Sequence, residues 1–409
     1  MVKIAVMGHG VVGSGVAELL QKNAAHIAAK AGEEIVLERV LDLREFPDLP
    51  YADKFTKHFS DILNDPAIQI VVETMGGLTP AYDYVKACLL SGKSVVTSNK
   101  ELVAQKGDEL LAIAREKGLN FLFEASVGGG IPVLRPLDQC LAANEVSEVA
   151  GILNGTTNFM LTRMIEDGMQ FEEALALAQK LGYAERDPSA DIDGLDACRK
   201  ICILASLAFG KHVYPAQVRT EGIRQVTLTD VRLADALGGV IKLIGKAVRD
   251  GEHVSCAVAP MIVPKEHLLS DVRDVFNAIL VRGDAIGDVV FYGRGAGKLP
   301  TASAVLADVI DEVKHLRARK YLCWEAGAPD YATDYGLRPV KMLLRVRADA
   351  DRKADIAAAF GDIAFVDCDA LPQNELAFLT NAVTEKELRG ALAAVAGIEL
   401  VSRLRLAEL

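Results

Sequence analysis

An α/β chain of two or three domains is predicted, on three observations. The 409 residues exceed what a single core normally holds. From Lys3 to Glu124, short β-rich runs alternate with helical patterns, as in a doubly wound parallel sheet. From Lys341 to Leu409 the elements change to the order βαββαβ, behind a linker, GAPDYATDYGLRP, of the Pro-, Gly- and polar-rich kind found at domain boundaries.

The first strand, Lys3 to Met7, runs into GHGVVGSG (Gly8 to Gly15) and then a helical pattern through Leu19 and Leu20. In that context Gly8, Gly10 and Gly13 match G-x-G-x-x-G, which supplies a tight turn, room for a pyrophosphate and close helix-to-strand packing. A Rossmann-type dinucleotide-binding domain is therefore expected over residues 1–135, completed by a helix at about 301–320. The second strand, Ile35 to Leu41, ends at Asp42, a partner for the adenosine ribose hydroxyls. Asp42 stands further from the glycines than the usual ~20 residues, because AAHIAAKAGEE lengthens the first helix and loop. A carboxylate there favours NAD, yet Arg44 can accept a ribose phosphate, so NAD and NADP both stay open.

Further strands are expected at Ile68 to Glu73, Ser94 to Thr97 and Asn120 to Glu124, with a helix from Pro80 to Leu90. Asn99 and Lys100 follow a strand C-terminus, where ligands collect in such sheets. Cations are disfavoured at a helix start, so Lys100 reads as orienting the nicotinamide end or the substrate, or as moving a proton, rather than as a surface lysine. In ASVGGGIP, Gly128 to Gly130 and Pro132 force tight turns that project carbonyls. With Glu124 these make either a plain loop, the simpler reading, or an oxygen-only site for a hard monovalent cation.

A middle domain is expected over residues 136–300. Glu145 to Leu153 is strand-like and ends in NGTTNFM, whose Thr156 and Thr157 suit a helix N-cap. Phe171 to Leu181 is a periodic helix; Gln217 to Val226, Val240 to Val248, Ser255 to Val263 and Val289 to Tyr292 read as strands. Between them lies LGYAERDPSADIDGLDACRK, Leu181 to Lys200, with too few apolar residues to be core. Its five carboxylates, Glu185, Asp187, Asp191, Asp193 and Asp196, precede Arg199 and Lys200 on a helix running into ICILASLAFG. Asp196 and Lys200 stand one turn apart on one face. A lysine beside a carboxylate and against an apolar helix can be tuned for proton transfer, and the other acids can hold a substrate ammonium. The alternative is a solvated acidic turn with one helical ion pair.

Composition narrows the partners. A net charge of −11 and a pI near 5.3 argue against nucleic acid or an anionic membrane and for a small molecule. Seven cysteines lack a CxxC pair, and Cys198 and Cys202 share an apolar helical face, so reduced core thiols are expected rather than disulfides or zinc. MVKIAVMG begins as a buried strand, which leaves no room for a leader, and no apolar run approaches membrane-spanning length; a cytoplasmic protein is expected.

GHGVVGSG, TSNKELVA, EASVGGGIP, NGTTNFMLTRM, LGYAERDPSADIDGLDACRK and GRGAGKLPTASAV, in this order and spacing, resemble homoserine dehydrogenases over the first three quarters of the chain. The tail, 338–409, resembles a regulatory ACT domain in element order. The resemblance implies a Rossmann-type domain, an α+β catalytic and dimerisation domain with a mixed sheet, and reversible NAD(P)-dependent reduction of L-aspartate 4-semialdehyde to L-homoserine, in threonine, methionine and isoleucine biosynthesis. It implies Lys200 as proton donor and acceptor, with Lys100 beside the nicotinamide, and Glu185, Asp196, Tyr183 and Asp191 around the substrate. Gly8, Gly10, Val11, Val12, Gly13, Asp42, Lys100, Gly182 and Gly297 would contact the cofactor. Glu124, with the carbonyls of Val127, Gly129 and Ile131, would hold Na+, and the chain would form a homodimer or homotetramer. The tail departs from the pattern, because RADADRKAD has no glycine where backbone approaches an amino acid; that argues against threonine feedback and leaves a structural or dimerising role.

Two rivals share features with this reading. A dehydrogenase for another amino-acid aldehyde or hydroxy acid needs the glycine turn but not the cluster of Glu185, Asp191 and Asp196. A non-catalytic redox sensor has no need of Lys100 and Lys200.

Overall fold

The computed structural model describes residues 1–318 and 322–409. In chain order the first elements are β1 (Val2–Met7), α1 (Val11–Lys22), α2 (Ala24–Ala31), β2 (Ile35–Leu41), β3 (Phe55–Thr56), α3 (Ser60–Leu63), β4 (Ile68–Glu73), α4 (Ala81–Leu90), β5 (Ser94–Thr97), α5 (Lys100–Lys117) and β6 (Phe121–Leu122). The six strands form one parallel sheet in the order β3-β2-β1-β4-β5-β6. Their near-continuous apolar runs, such as IVVE in β4, suit a sheet covered on both faces. The order reverses between β1 and β4, and the crevice beyond their C-termini is where such sheets take ligands.

The chain continues through β7 (Val146–Ile152), α6 (Gly155–Glu166), α7 (Phe171–Lys180), α8 (Ser189–Ile192), α9 (Leu195–Phe209), β8 (Arg219–Thr220), α10 (Leu228–Ala236), β9 (Gly239–Asp250), β10 (His253–Pro264), β11 (Phe276–Gly283), β12 (Gly287–Arg294) and α11 (Lys298–Lys314). It ends with β13 (Ala332–Thr333), β14 (Met342–Arg347), α12 (Lys353–Phe360), β15 (Ala364–Phe365), β16 (Glu375–Leu379), α13 (Glu385–Ala394) and β17 (Glu399–Leu406).

Two compact units result, and they are interlaced in sequence. The first comprises Met1–Val146, Cys202–Pro215 and Arg282–Ala328; the second comprises Ser147–Ile201, Ala216–Val281 and Pro329–Leu409. In the first, α11 supplies Ala302, Val305, Leu306 and Val309 to the same core as Ile4 and Val6 of β1 and Val16 and Ala17 of α1. A Cβ on Gly15 of α1 would come within 2.9 Å of the Lys298 carbonyl, so the absent side chain lets the two helices meet. The completing helix expected at about 301–320 is α11; it starts three residues earlier and ends at Lys314, and residues 319 and 320 lie outside the described residues.

In the second unit, β9 and β10 pair antiparallel along their whole length. The sheet runs β11-β7-β9-β10-β17-β14-β16-β15, with β8 and β13 also pairing parallel to β10. Parallel and antiparallel pairs coexist, so the sheet is mixed.

Three expectations are corrected and one strand is added. The strand expected from Gln217 to Val226 is reduced to β8, because the chain turns away at Gly222: the Ile223 amide donates to the Ile192 carbonyl at 2.8 Å while that of Glu221 donates to Val258. The apolar run of β11 is a strand that was not anticipated. The linker GAPDYATDYGLRP is no free tether. Within it β13 pairs with β10, and Tyr335 is buried in a core with Ala257, Met342, Leu344 and Phe378. The βαββαβ tail keeps its expected element order, but β17 bonds to β10 at Met261 and Ile262, so the tail continues the middle sheet instead of standing apart.

Candidate active site

At the nucleotide end, Gly8 adopts φ +94°, a region that favours glycine, and its carbonyl accepts a bond from Thr74 Oγ1 at 2.8 Å. A Cβ on Gly13 would lie 1.9 Å from the Gly8 carbonyl oxygen, whereas one on Gly10 would meet nothing within 4 Å. The turn is therefore closed at Gly8 and Gly13 and open at Gly10, which caps α1. An open helix N-terminus flanked by glycine is a fitting cradle for a pyrophosphate. Val11 and Val12 are its first helical residues, and Gly297, φ +135°, caps α11 in the same unit.

Asp42 follows β2, as expected, but its carboxylate is already engaged. It accepts from the amides of His9 (2.7 Å) and Arg44 (2.9 Å) and takes the Arg44 guanidinium in a fork at 2.9 and 3.0 Å. The Arg44 bond, together with the two amides, holds Asp42 well below the usual carboxylate range. The Arg44 side chain stays 62% exposed and also donates to the His9 carbonyl. It borders a cleft of about 280 Å³ lined by Phe46, Phe55, Thr56 and Lys57.

A group that sequence reasoning missed stands at the end of β4. Glu73, wholly buried, accepts from Thr97 Oγ1 (2.5 Å) and from the amides of Met75 (2.7 Å) and Gly76 (3.3 Å). Burial pushes its pKa up against those bonds. Asn99 caps α5 through Leu102 and donates to the Gly77 carbonyl at 2.6 Å, so β4, β5 and the following loops are tied together beside half-buried Lys100, the first residue of α5. The signal was a single acid ending an apolar strand.

In the second unit one side chain gathers the acidic segment. Asn154, two residues past the end of β7, donates from Nδ2 to Asp191 Oδ1 (2.7 Å) and Asp196 Oδ2 (2.9 Å). Its Oδ1 accepts from the Thr157 amide at 2.8 Å and so caps α6, a role expected of Thr156 or Thr157. Asparagine outranks threonine at that position. Lys200 Nζ donates to Asp196 Oδ2 and to the Leu153 carbonyl, each at 2.7 Å, and both charged residues are buried. The i,i+4 pair on α9 is thus a buried ion pair held by the strand end, not a solvated surface pair.

The remaining acids sort differently. Asp187 accepts from Ser189 and shapes the turn into α8, and Asp193 pairs with Arg224 at the surface. Glu185 is exposed, and its carboxylate makes no hydrogen bond or ion pair among the described residues. Tyr183 lies edge-on to Phe159 at 5.0 Å, its carbonyl accepting from Thr156, and Gly182 (φ +76°) terminates α7. Asp191, Asp196 and Lys200 are brought together; Glu185 is not bonded to them.

In the loop expected either as a plain turn or as a cation site, Glu124 is held by main-chain amides. The Glu124 carboxylate accepts from the amides of Val133 (2.6 Å), Leu134 (2.8 Å) and Arg135 (2.7 Å), which occupies it as a cap for the following turn. Gly128 and Gly129, at positive φ (72° and 56°), turn the loop between Glu124 and Pro132.

A family model described as homoserine dehydrogenase, NAD binding domain, matches residues 8–124, and one described as homoserine dehydrogenase matches residues 132–310. The homoserine dehydrogenase of Pseudomonas aeruginosa is 38% identical, covering 100% of this chain and 99% of that protein. The crystal structure of a homoserine dehydrogenase from Thiobacillus denitrificans aligns with a TM-score of 0.88 at 37% identity, over 99% of this chain and 98% of that one. A hyperthermophilic archaeal homoserine dehydrogenase mutant in complex with NADPH aligns with a TM-score of 0.64 at 27% identity, over 76% of this chain and 97% of that one. The chain belongs to the homoserine dehydrogenase family of NAD(P)-dependent oxidoreductases.

Proposed function

We propose that the chain interconverts L-aspartate 4-semialdehyde and L-homoserine, and that the buried network Asn154–Asp196–Lys200 with Asp191 carries the substrate chemistry. When bound, NAD(P) exchanges a hydride with the carbonyl carbon. As the aldehyde is reduced, charge develops on its oxygen, and the Lys200 ammonium neutralises that charge and gives up a proton; in the oxidative direction the amine takes it back. Asp196, 2.7 Å away, favours the charged lysine and fixes its position. The substrate carries an ammonium, and Asp191 with Asp196, Glu185 and Tyr183 would clamp it.

The glycine turn with Val11 and Val12, Asp42, Lys100, Gly182 and Gly297 would hold the cofactor. The exposed Arg44 supports acceptance of NADP as well as NAD, and a relative was solved with NADPH. A monovalent cation, Na+ by resemblance, would be held by the carbonyls of Glu124, Val127, Gly129 and Ile131. The tail's element order and its sheet order β17-β14-β16-β15 support an ACT-like fold. We assign the chain to a homo-oligomer of the cytoplasm that handles no nucleic acid; among the described residues no helix is long and apolar enough to cross a membrane.

The test is initial-rate oxidation of homoserine with NAD and with NADP, set beside threonine, malate and lactate. Homoserine should be preferred by at least about 100-fold in kcat/KM, since acids placed for an ammonium lose that partner in malate and lactate. Equal turnover of malate would defeat the assignment.

A further inference from the structure

We propose that the C-terminal βαββαβ segment is part of the substrate-positioning apparatus: Arg405 and Arg403 of β17 hold Glu221, and Glu221 in turn seats the turn that carries Asp191. The proposal rests on the assignment of Asp191 to substrate binding.

Three guanidiniums and two carboxylates meet around Glu221. Arg405 donates to both Glu221 oxygens at 2.7 and 2.9 Å and to Glu385 at 2.8 Å. Arg403 donates to Glu221 at 2.9 Å and to Glu385 at 2.5 Å, and Arg219 joins from β8 at 2.9 Å. The Arg405 side chain is 3% exposed, so its own bonds are little screened, while Glu221 keeps an edge that is 25% exposed. Burial alone would raise the Glu221 carboxyl; the guanidiniums overcome it and hold it at about 2. Glu221 is therefore a fixed anion at any working pH.

The backbone from Glu221 to Arg224 has no slack. The Glu221 amide bonds to Val258 of β10 at 2.7 Å, and the Ile223 amide bonds to the Ile192 carbonyl at 2.8 Å. A Cβ on Gly222 would lie 2.1 Å from the Ile192 oxygen and 2.5 Å from Asp193 Cα, so backbone lies directly on backbone. Arg224 then clasps Asp193 and reaches Ser189 Oγ at 3.3 Å. The stretch 221–224 thus grips both ends of the short helix α8, and Asp191 sits inside that grip with its Oδ1 on Asn154. A displacement of Glu221 is transmitted through main-chain contacts to a carboxylate of the substrate site. The nucleotide end, in the first unit, contains none of these residues.

The experiment compares Glu221→Gln, Arg405→Met, Arg405→Lys and Gly222→Ala with Asp191→Asn in the full-length chain. It reads kcat and the separate KM values for homoserine and cofactor, with melting temperature alongside. We expect Glu221→Gln, Arg405→Met and Gly222→Ala to lower kcat/KM for homoserine by about 10- to 100-fold, as displacements of about 1 Å do. The loss should fall on the homoserine KM, the cofactor KM staying within twofold, and Arg405→Lys should restore part of it by keeping one charged bond without the fork. A purely structural cluster would lower the melting temperature and leave the homoserine KM of the folded fraction unchanged. Should Arg405→Met fail to fold, Glu221→Gln, which keeps the shape, decides. Homoserine KM values within twofold of wild type in folded Glu221→Gln and Gly222→Ala, while Asp191→Asn raises it, would overturn the coupling. An Asp191→Asn variant with unchanged homoserine KM would overturn the substrate assignment beneath it, and the proposal with it.

Discussion

Asn154 offers the sharpest test of the candidate site, because one amide performs two separable tasks. Its oxygen caps α6, and its Nδ2 group bridges Asp191 and Asp196 at 2.7 and 2.9 Å. Loss of an N-cap costs about 1 kcal/mol, and loss of a hydrogen bond to a charged group about 1.5–3 kcal/mol. Asn154→Ala removes both kinds, so a destabilisation of about 2–4 kcal/mol is expected, or a Tm lower by about 4–16 °C for a unit of this size. Asn154→Asp keeps the cap, since aspartate and asparagine serve there equally. It replaces the bridging donor with an acceptor facing two carboxylates, which forces Asp191, Asp196 or the new acid to move or take a proton. The aspartate variant should therefore lose more activity than alanine: about 100-fold or more in kcat/KM for homoserine against about tenfold. Initial rates at varied homoserine and saturating cofactor, with a thermal melt of each variant, read both quantities. If Asn154→Asp keeps kcat/KM within threefold of wild type, the bridge does not organise the substrate site.

The same geometry carries three further expectations. Lys200→Ala should lower kcat by about 100- to 10,000-fold, the usual span of general acid–base catalysis, with cofactor binding by fluorescence titration unchanged; near-normal turnover would remove Lys200 from the proton step. Arg44→Ala should raise KM for NADP by at least about tenfold, because a charged bond to phosphate is lost. It should change KM for NAD much less, and equal effects on the two would refute a phosphate-facing role. Glu312, wholly buried in α11, is pushed up to about 8 from an ordinary 4.5, by burial first and by Asp308 as well, against Asn120 and Ser94. The folded chain then holds a proton that the unfolded chain releases, so this stabilisation is complete below about 4.5 and is lost as pH rises through about 8. Glu312→Gln should flatten the decline of Tm between pH 6 and pH 9, and an unchanged slope would count against the buried acid as its source.

The longer strands of the first sheet were legible because each is a compact apolar run closed by a glycine, threonine or acid: Ile35–Leu41, Ile68–Glu73 and Ser94–Thr97 have the expected limits, whereas the two-residue β3 carries no such pattern. The buried ion pair was legible from spacing alone, Asp196 and Lys200 standing one helical turn apart. The features that escaped depend on partners distant in sequence. The two carboxylate partners of Asn154 lie 37 and 42 positions later, and nothing local in NGTTNFM points to them. Residues 217–226 read as one strand, but the strand stops where Gly222 allows backbone to lie on Ile192. Prolines and glycines marked a linker, yet no local rule shows that Tyr335 within it enters a core or that β17 pairs with β10.

The interlacing of the two units bears on how the chain is made. β1, β2 and β4 leave the ribosome early, but the face they present to α1 is completed by Ala302, Val305, Leu306 and Val309 of α11. At about 5–20 residues per second, the helix follows residue 146 by roughly 10–30 s. During that interval the sheet's apolar surface is without its final cover, while the chain of the second unit is emerging. Folding of the nucleotide end is consequently not vectorial: a nascent chain halted before α11 should be protease-sensitive and a chaperone client, although every residue of the glycine turn is already present.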